Sequence, residues 1–332
     1  MVRHHRAGGH PARRDRGATC PHRRRHPRRT RAGLPPDRGA APRSRGCPAG
    51  PGRGCPAGGV PGPPDHRAAL LSADSGTGAK RSPPKGAEVD TQEILSAQHH
   101  HEPADHEVWR HLYRQQLDLV PLAAPAIYLE GLDLLGLPAD HVPDLDRVNE
   151  RSRAITGWTF VAVDGLVKGA DFFAMLLNRR FPVTNQMRKP AEIRFAELPD
   201  LFHDLFGHGP FLAHPRTADL YREFGRIGVR CAEHPDELAL LQSIMWTTLE
   251  AGLIRTPDGL RALGGAILSS ADEIQQCLDP AAATEAFDPE VVRRATFDIL
   301  QLQNRYFVIE DLAEIESALA DLDARVDEGD RS

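Results

Sequence analysis

The 332-residue sequence has no apolar run approaching the about 18 residues of a membrane-spanning helix, so no such helix is expected. It has five cysteines, and three of them (Cys20, Cys47 and Cys55) fall in a region that also lacks most of what a core requires. Residues 1–67 contain no Lys, no Glu and no Phe, Trp or Tyr, and their large aliphatics are Met1, Leu34 and two Val. So little apolar surface does not offset the entropy of ordering a backbone. What the region does have is sixteen Arg against three Asp, a charge near +13, which leaves the remainder near −18 for a total of −5. Clustered Arg suits a tail that neutralises phosphates. A GC-rich upstream frame read as protein gives the same mixture of Arg, Pro, Gly and Ala. We expect residues 1–89 to be a disordered head and linker, residues 90–325 one folded domain, and residues 326–332 a tail.

Only Cys231 and Cys277 remain in the body, which is no disulfide framework and points to a reducing compartment. The Arg-rich start has no apolar stretch behind it and is not a secretory signal, so a cytoplasmic location is expected. The repeated Cys-Pro-Ala-Gly lacks the spacing of a zinc site, and no glycine-rich phosphate loop is present. The strongly acidic body, without a base-reading motif, argues against a nucleic-acid-binding role.

From about residue 90 the periodicity is mostly helical. Glu107–Leu119 predicts an amphipathic helix, with Val108, Leu112 and Leu119 on one face. Ala170–Leu177 predicts a short helix opened by Gly169 or Asp171. Glu237–Leu253 predicts a long one, followed by a Pro257-Asp258-Gly259 turn. The best strand signals are Trp158–Val163 and Tyr306–Ile309. The expected fold class is mainly α with minor β, in one domain.

Chemistry concentrates in Leu198-Pro-Asp-Leu-Phe-His203-Asp-Leu-Phe-Gly-His208-Gly-Pro210. On an ideal helix two His five apart stand about 140° from each other. Both reach one metal only if the helix ends between them, a break that Gly207, Gly209 and Pro210 are suited to supply. The competing reading is a core His203 and a helix-terminal His208. Glu250 is a lone carboxylate in the apolar segment Ser243–Ile254, costly to bury unless paired or bound to metal. Two imidazoles and one carboxylate on one face of Fe(II) leave positions open for oxygen and a co-substrate. Asp204 is a weaker candidate because it points to another face of its helix. Two His and one Glu also serve zinc, so a metallohydrolase is the alternative from another class.

Over roughly residues 105–315 the chain resembles the catalytic domain of the biopterin-dependent aromatic amino-acid hydroxylases. The resemblance rests on Pro199-Asp200, His203-x4-His208, Trp246 with Glu250, Gly264-Gly-Ala-Ile-Leu-Ser269-Ser270 and Tyr306-Phe-Val-Ile-Glu310, in order. It implies that domain's fold, with Fe(II) on His203, His208 and Glu250, a tetrahydropterin, and O2 as co-substrate. It places the pterin against Gly165, Leu166, Val167 and Phe172, with Asp204 reaching it through water. Arg188 would pair with the substrate carboxylate, Trp246 would wall the ring pocket, and Ser269 would orient an iron ligand or the substrate. The implied reaction is phenylalanine to tyrosine, with another ring position or tryptophan as alternatives. Four pocket positions depart from the family pattern. Ala251 and Met245 replace rings, Ala196 replaces a substrate-gripping Thr, and Pro182 replaces a pterin-side His. With no regulatory domain before the domain and no long heptad helix after it, a monomer acting on a small aromatic amino acid is expected.

Overall fold

The structure, a computed structural model, describes residues 95–329 except 166, 168, 195, 197 and 298–301. The expected head and linker of residues 1–89 lies outside the described residues, as does Leu166.

Three helices open the described chain. In α1 (Pro103–Ala123), Val108, Trp109, Leu112, Tyr113, Gln116 and Val120 form the buried stripe. Leu119, expected on that face, is only partly buried, because Gln116 and Val120 take the seam. The helix also runs a turn further at each end than expected. α2 (Ala126–Leu135) stops at Gly136, whose φ of 58° is a left-handed cap. α3 (Leu145–Ile155) starts at Asp144, whose carboxylate accepts from the amides of Asp146 and Arg147.

A βαβ unit follows. β1 (Thr159–Val163), α4 (Gly169–Leu177) and β2 (Arg180–Thr184) place the two strands parallel, with Val163 opposite Thr184. Gly165, at φ 90°, turns the chain out of β1. Beyond β2 comes the segment His203–His208, which is a π-helix and leads straight into α5 (Gly209–Ala213). The expected break between the two His is therefore absent. Neither Gly207 nor Gly209 has a positive φ. Both are needed for close approach instead: a Cβ on Gly207 would lie 2.5 Å from the Gly265 carbonyl oxygen, and one on Gly209 2.9 Å from Leu135.

α6 (Pro215–Arg230) and α7 (Pro235–Met245) come next, and α7 passes into a second π-helical segment, Trp246–Glu250. The helix predicted to reach Leu253 thus ends at Glu250, and Leu253 opens β3 (Leu253–Thr256). β3 pairs antiparallel with β4 (Gly259–Ala262) around the predicted turn. α8 (Gly265–Leu268), α9 (Ala271–Cys277), β5 (Thr284–Ala286), α10 (Pro289–Val292) and β6 (Tyr306–Ile309) complete a sheet of order β4-β3-β6-β5. α11 (Leu312–Gly329) closes the chain with Val326 buried, so residues 326–329 belong to a packed helix and not to a tail.

The core's aromatic centre lies under the first π-helical segment. Phe202 and Phe206 stack at 4.8 Å, and Trp109, Tyr113 and Tyr128 meet them edge-on. Each such pair adds roughly 0.5–1.5 kcal/mol beyond area burial.

Candidate metal centre and its surroundings

In a π-helix the bonds run from i to i+5, so residues five apart lie nearly above one another. That is how His203 and His208 come to share a face. Their Nε2 atoms stand 3.2 Å apart, and the ring centroids 4.8 Å apart at 81°. The second π-helical segment brings in Glu250, with Oε1 3.2 Å from His208 Nε2 and Oε2 3.7 Å from His203 Nε2. Among the described residues this is the one His/Cys/Asp/Glu group whose ligand atoms gather within 4.8 Å. Ligand atoms about 2.1 Å from one ion stand about 3.0–3.4 Å from each other; the two 3.2 Å spacings fall in that range, and the 3.7 Å one requires the Glu250 carboxylate to close by a few tenths of an ångström on an ion.

Widening a helix frees backbone carbonyls, and the neighbours take them up. The Tyr128 hydroxyl donates to the Phe206 carbonyl at 2.7 Å. Thr247 and Thr248 donate back to Ser243 and Ile244 at 2.8 and 2.6 Å. The glycine pair at 264–265 is a packing requirement. A Cβ on Gly264 would meet the Glu250 carbonyl oxygen at 2.0 Å, and one on Gly265 would meet His208 Cε1 at 2.5 Å.

The far ring nitrogens are also engaged. Ser269 Oγ lies 3.2 Å from the Ala266 carbonyl and 3.1 Å from His203 Nδ1. A hydroxyl donating to that carbonyl accepts from Nδ1–H, which assigns the lone pair to His203 Nε2. His208 Nδ1 lies 2.7 Å from the hydroxyl of Tyr221, which is fully buried. Tyr221 had no signal in the sequence; it belongs to α6, a separate helix.

Electrostatics favour neutral imidazole at one ligand and anionic carboxylate at another. Burial first, then the charge of His208, lowers His203 to about 4. Burial works against charge on His208, yet the adjacent Glu250 raises its pKa. Burial likewise opposes ionisation of Glu250, yet the His208 charge holds it below the ordinary value. Asp204 does face this cluster, contrary to expectation: its Oδ1 lies 4.0 Å from His203 Nε2. Its other oxygen accepts from the Thr184 amide at 2.7 Å, and burial pushes its pKa up to about 7.

Arg188 is buried and already partnered. Its Nε and Nη2 donate to the two oxygens of Asp200, both at 2.8 Å, and Asp200 also accepts from the amides of Arg188 and His203 at 3.0 Å. Burial raises the cost of charge on Asp200, but the Arg188 guanidinium keeps it below the usual carboxylate range. One edge of the fork is thus occupied, which leaves Nη1 without a hydrogen-bond acceptor among the described residues. Trp246 is partly buried, and its Nε1 is buried with no partner among the described residues. Met245, just before it, and Ala251, just after Glu250, are buried, Ala196 is partly buried, and Pro182 sits in β2 opposite Val161.

On the other side, Gly165 is exposed and Val167 partly buried. The ring of Phe172 lies 6.2 Å from Phe181, which in turn lies 5.2 Å from the His208 ring. Aromatic contacts thus connect Phe172 to the His pair.

A family model for biopterin-dependent aromatic amino acid hydroxylases matches residues 91–328. The chain is 42% identical over 217 residues to a phenylalanine-4-hydroxylase of Chromobacterium violaceum, covering 65% of this chain and 73% of that one. A crystal structure of the Chromobacterium violaceum phenylalanine hydroxylase with iron(III) and 7,8-dihydrobiopterin superposes with a TM-score of 0.67 at 39% identity, covering 72% of this chain and 88% of that one. A phenylalanine 3-hydroxylase of Streptomyces coeruleorubidus is 33% identical over 215 residues, 65% of this chain and 76% of that one. The two π-helical segments, the His–His–Glu cluster and the matched span agree: this chain belongs to the biopterin-dependent aromatic amino acid hydroxylase family.

Proposed function

We propose that the chain hydroxylates phenylalanine to tyrosine, using Fe(II) on His203, His208 and Glu250, a tetrahydropterin and O2. The observation that carries this reading is the convergence of His203 Nε2, His208 Nε2 and the two oxygens of Glu250, in contacts of 3.2–3.7 Å, with both His Nδ1 atoms held from behind. Three protein ligands suit a metal that needs open positions. Iron and the pterin, when bound, supply the activation of dioxygen. The protein's share is placement. Ser269 and Tyr221 keep each imidazole turned with Nε2 inward. Arg188 offers Nη1 to the substrate carboxylate, while Asp200 fixes the guanidinium and caps the His203 amide. Trp246 walls the ring pocket, with Met245 and Ala251 beside it widening it. Gly165, Leu166, Val167 and Phe172 receive the pterin, and Asp204 approaches it through water from beside His203. Positioning of this kind converts binding into rate because reacting groups are held together before reaction.

The family assignment removes the zinc-hydrolase alternative. The relative named for hydroxylation at ring position 3 keeps that regiochemistry as a second reading. No described helix is long and apolar enough to cross a membrane. Two free, buried thiols suit the reducing cytoplasm, and light scattering tests the proposed monomer. The decisive experiment is anaerobic loading with Fe(II), then addition of tetrahydropterin, oxygen and each aromatic amino acid. Tyrosine from phenylalanine supports the proposal. A meta-hydroxylated product gives the second reading, and no pterin-dependent product overturns both.

A further inference from the structure

Before α1, residues 95–99 run alongside the β1–β2 pair. Leu95 bridges Val163, and the Ser96 amide donates to the Ala162 carbonyl at 3.0 Å. Gln98 ties the same stretch to the start of α3, donating to the Pro143 carbonyl at 2.8 Å and accepting from the Leu145 amide at 2.9 Å. The stretch is thus a strap laid over the strand ends, and besides Gln98 a second, buried side chain holds it there.

That side chain is Asn185, just past β2 and 2% exposed. Its Oδ1 accepts from the His99 amide at 3.1 Å. Its Nδ2 lies 2.7 Å from Ser96 Oγ, 3.0 Å from the Ala97 carbonyl and 3.1 Å from Asp164 Oδ1, so its two hydrogens are shared among three acceptors. Asp164 Oδ1 also meets His99 Nε2 at 3.1 Å. Asp164 immediately precedes Gly165, where the chain turns with positive φ into the segment assigned to the pterin. Thr184, the residue before Asn185, gives its amide to Asp204 beside His203. Two consecutive residues therefore face both halves of the site, one holding the metal side by its backbone and the other the cofactor side by its carboxamide.

We propose that Asn185 is a positioning residue for the pterin, acting through Asp164, and that the strap 95–99 is a working part of the cofactor site. This rests on the pterin placement proposed above. The reason is conformational. A segment that opens on a left-handed glycine has many alternatives, and ordering it at the moment of binding weakens affinity. Anchoring Asp164, the residue just before it, to a buried amide removes part of that ordering in advance. The Asp164 side chain is 58% exposed, so its bond adds little to the stability of the fold. Its main effect is on where the segment stands.

The test uses full-length, iron-loaded enzyme carrying Asp164→Ala, Asp164→Asn, Asn185→Ala, or Asn185→Ala with Asp164→Ala. The readouts are KM for tetrahydropterin and for phenylalanine, kcat, iron per chain, and pterin Kd by fluorescence titration without turnover. Asp164→Ala and Asn185→Ala should raise pterin Kd and KM roughly tenfold, the effect of one or two lost hydrogen bonds. KM for phenylalanine and iron content should stay within twofold. Asp164→Asn keeps an oxygen acceptor and should recover most of the affinity. The double variant should weaken binding by less than the product of the two single effects, because Asn185 and Asp164 share one contact while Asp164 also meets His99. Unchanged pterin Kd in the exposed-site variant Asp164→Ala overturns the proposal, even if Asn185→Ala does not fold. So does an Asn185→Ala that loses iron and raises both KM values alike, the behaviour of a plain core amide. If the unaltered enzyme binds no tetrahydropterin, the pterin reading itself has failed. If it binds and the variants bind equally well, only the positioning role falls.

Discussion

The proposed metal half of the site and the proposed cofactor half are built differently. His203, His208 and Glu250 sit on two π-helical segments, and residues 204–213 are buried without interruption. The cofactor half rests on a turn through the exposed Gly165, held at Asp164 by one side chain and a strap. In the first, ligand positions follow from core packing. In the second, position follows from a few tethers. Substitutions on the metal side should therefore remove function outright, while those on the cofactor side should grade it.

The comparison breaks most sharply at the ligands. His203→Ala, His208→Ala or Glu250→Ala should each prevent iron loading and lower turnover by more than about 100-fold, beyond the effect of losing an outer partner. Glu250→Asp should keep weak activity. Metal analysis alongside steady-state rates checks this, and a variant with unaltered iron and rate removes its residue from the triad. Arg188→Ala should come next, raising KM for phenylalanine roughly 30-fold or more, as when a buried charge pair loses a partner. Phenethylamine, lacking the carboxylate, should suffer much less. The same change leaves Asp200 buried and unpaired, so Tm should fall. Adding Asp200→Asn should restore Tm but not KM, and recovery of both would make Arg188 purely structural.

Smaller effects sharpen the contrast. Tyr221→Phe removes the group behind His208 Nδ1 and should weaken iron binding about tenfold, by analogy with other outer partners of metal-bound imidazole. A chelator-competition titration reading no change would assign the ring's orientation to Gly265 and Phe181 alone. The smallest effect lies outside both halves, at Glu273. Its Oε1 accepts from the Tyr306 hydroxyl at 2.8 Å and from the Gln303 amide at 3.0 Å, and burial raises its pKa despite those bonds. A carboxyl whose pKa is higher folded than unfolded stabilises the fold when protonated. That contribution is full below the unfolded value, about 4.3, and is lost as pH rises through the folded one. Glu273→Gln keeps the acceptor without the charge, so it should raise Tm by about 2 °C at pH 8 and by nothing near pH 4. A drop at pH 8 would mean that the charge itself supports the bonds.

The residues that carry chemistry were legible because their types are rare in apolar surroundings: a Glu inside Ser243–Ile254, two His beside Phe and Leu. The helical periods and the strand Tyr306–Ile309 were legible for the same reason that they pack. The π-helical segments were not, since no residue code separates an extra residue in a turn from a helix end. Gly207, Gly209 and Pro210 therefore read as a break, although the glycines serve close approach and Pro210 simply occupies the first turn of α5. Strands β2 to β5 lack the unbroken aromatic and β-branched run of Tyr306–Ile309: Pro182 interrupts β2, and Arg, Gly or Glu takes up much of β3, β4 and β5. The Arg188–Asp200 and His208–Tyr221 bonds join residues 12 and 13 apart, the first pair in connecting segments and the second on two helices, a pairing fixed only by tertiary packing.

The three proposed ligands differ in how far solvent reaches them. The His208 side chain is 1% exposed, that of His203 13% and that of Glu250 20%. An arriving ion therefore meets the carboxylate and His203 at the mouth and reaches His208 last, on the closed floor. That floor is assembled from Tyr221, Phe181 and Gly265, which come from three separate elements and meet only when the chain has folded. Capture of the ion is then expected to follow folding rather than trigger it, and an ion bound to the native state alone would stabilise that state by mass action. Release runs in reverse through the same mouth, so the rate at which a chelator strips the protein reports on the width of that opening as well as on affinity.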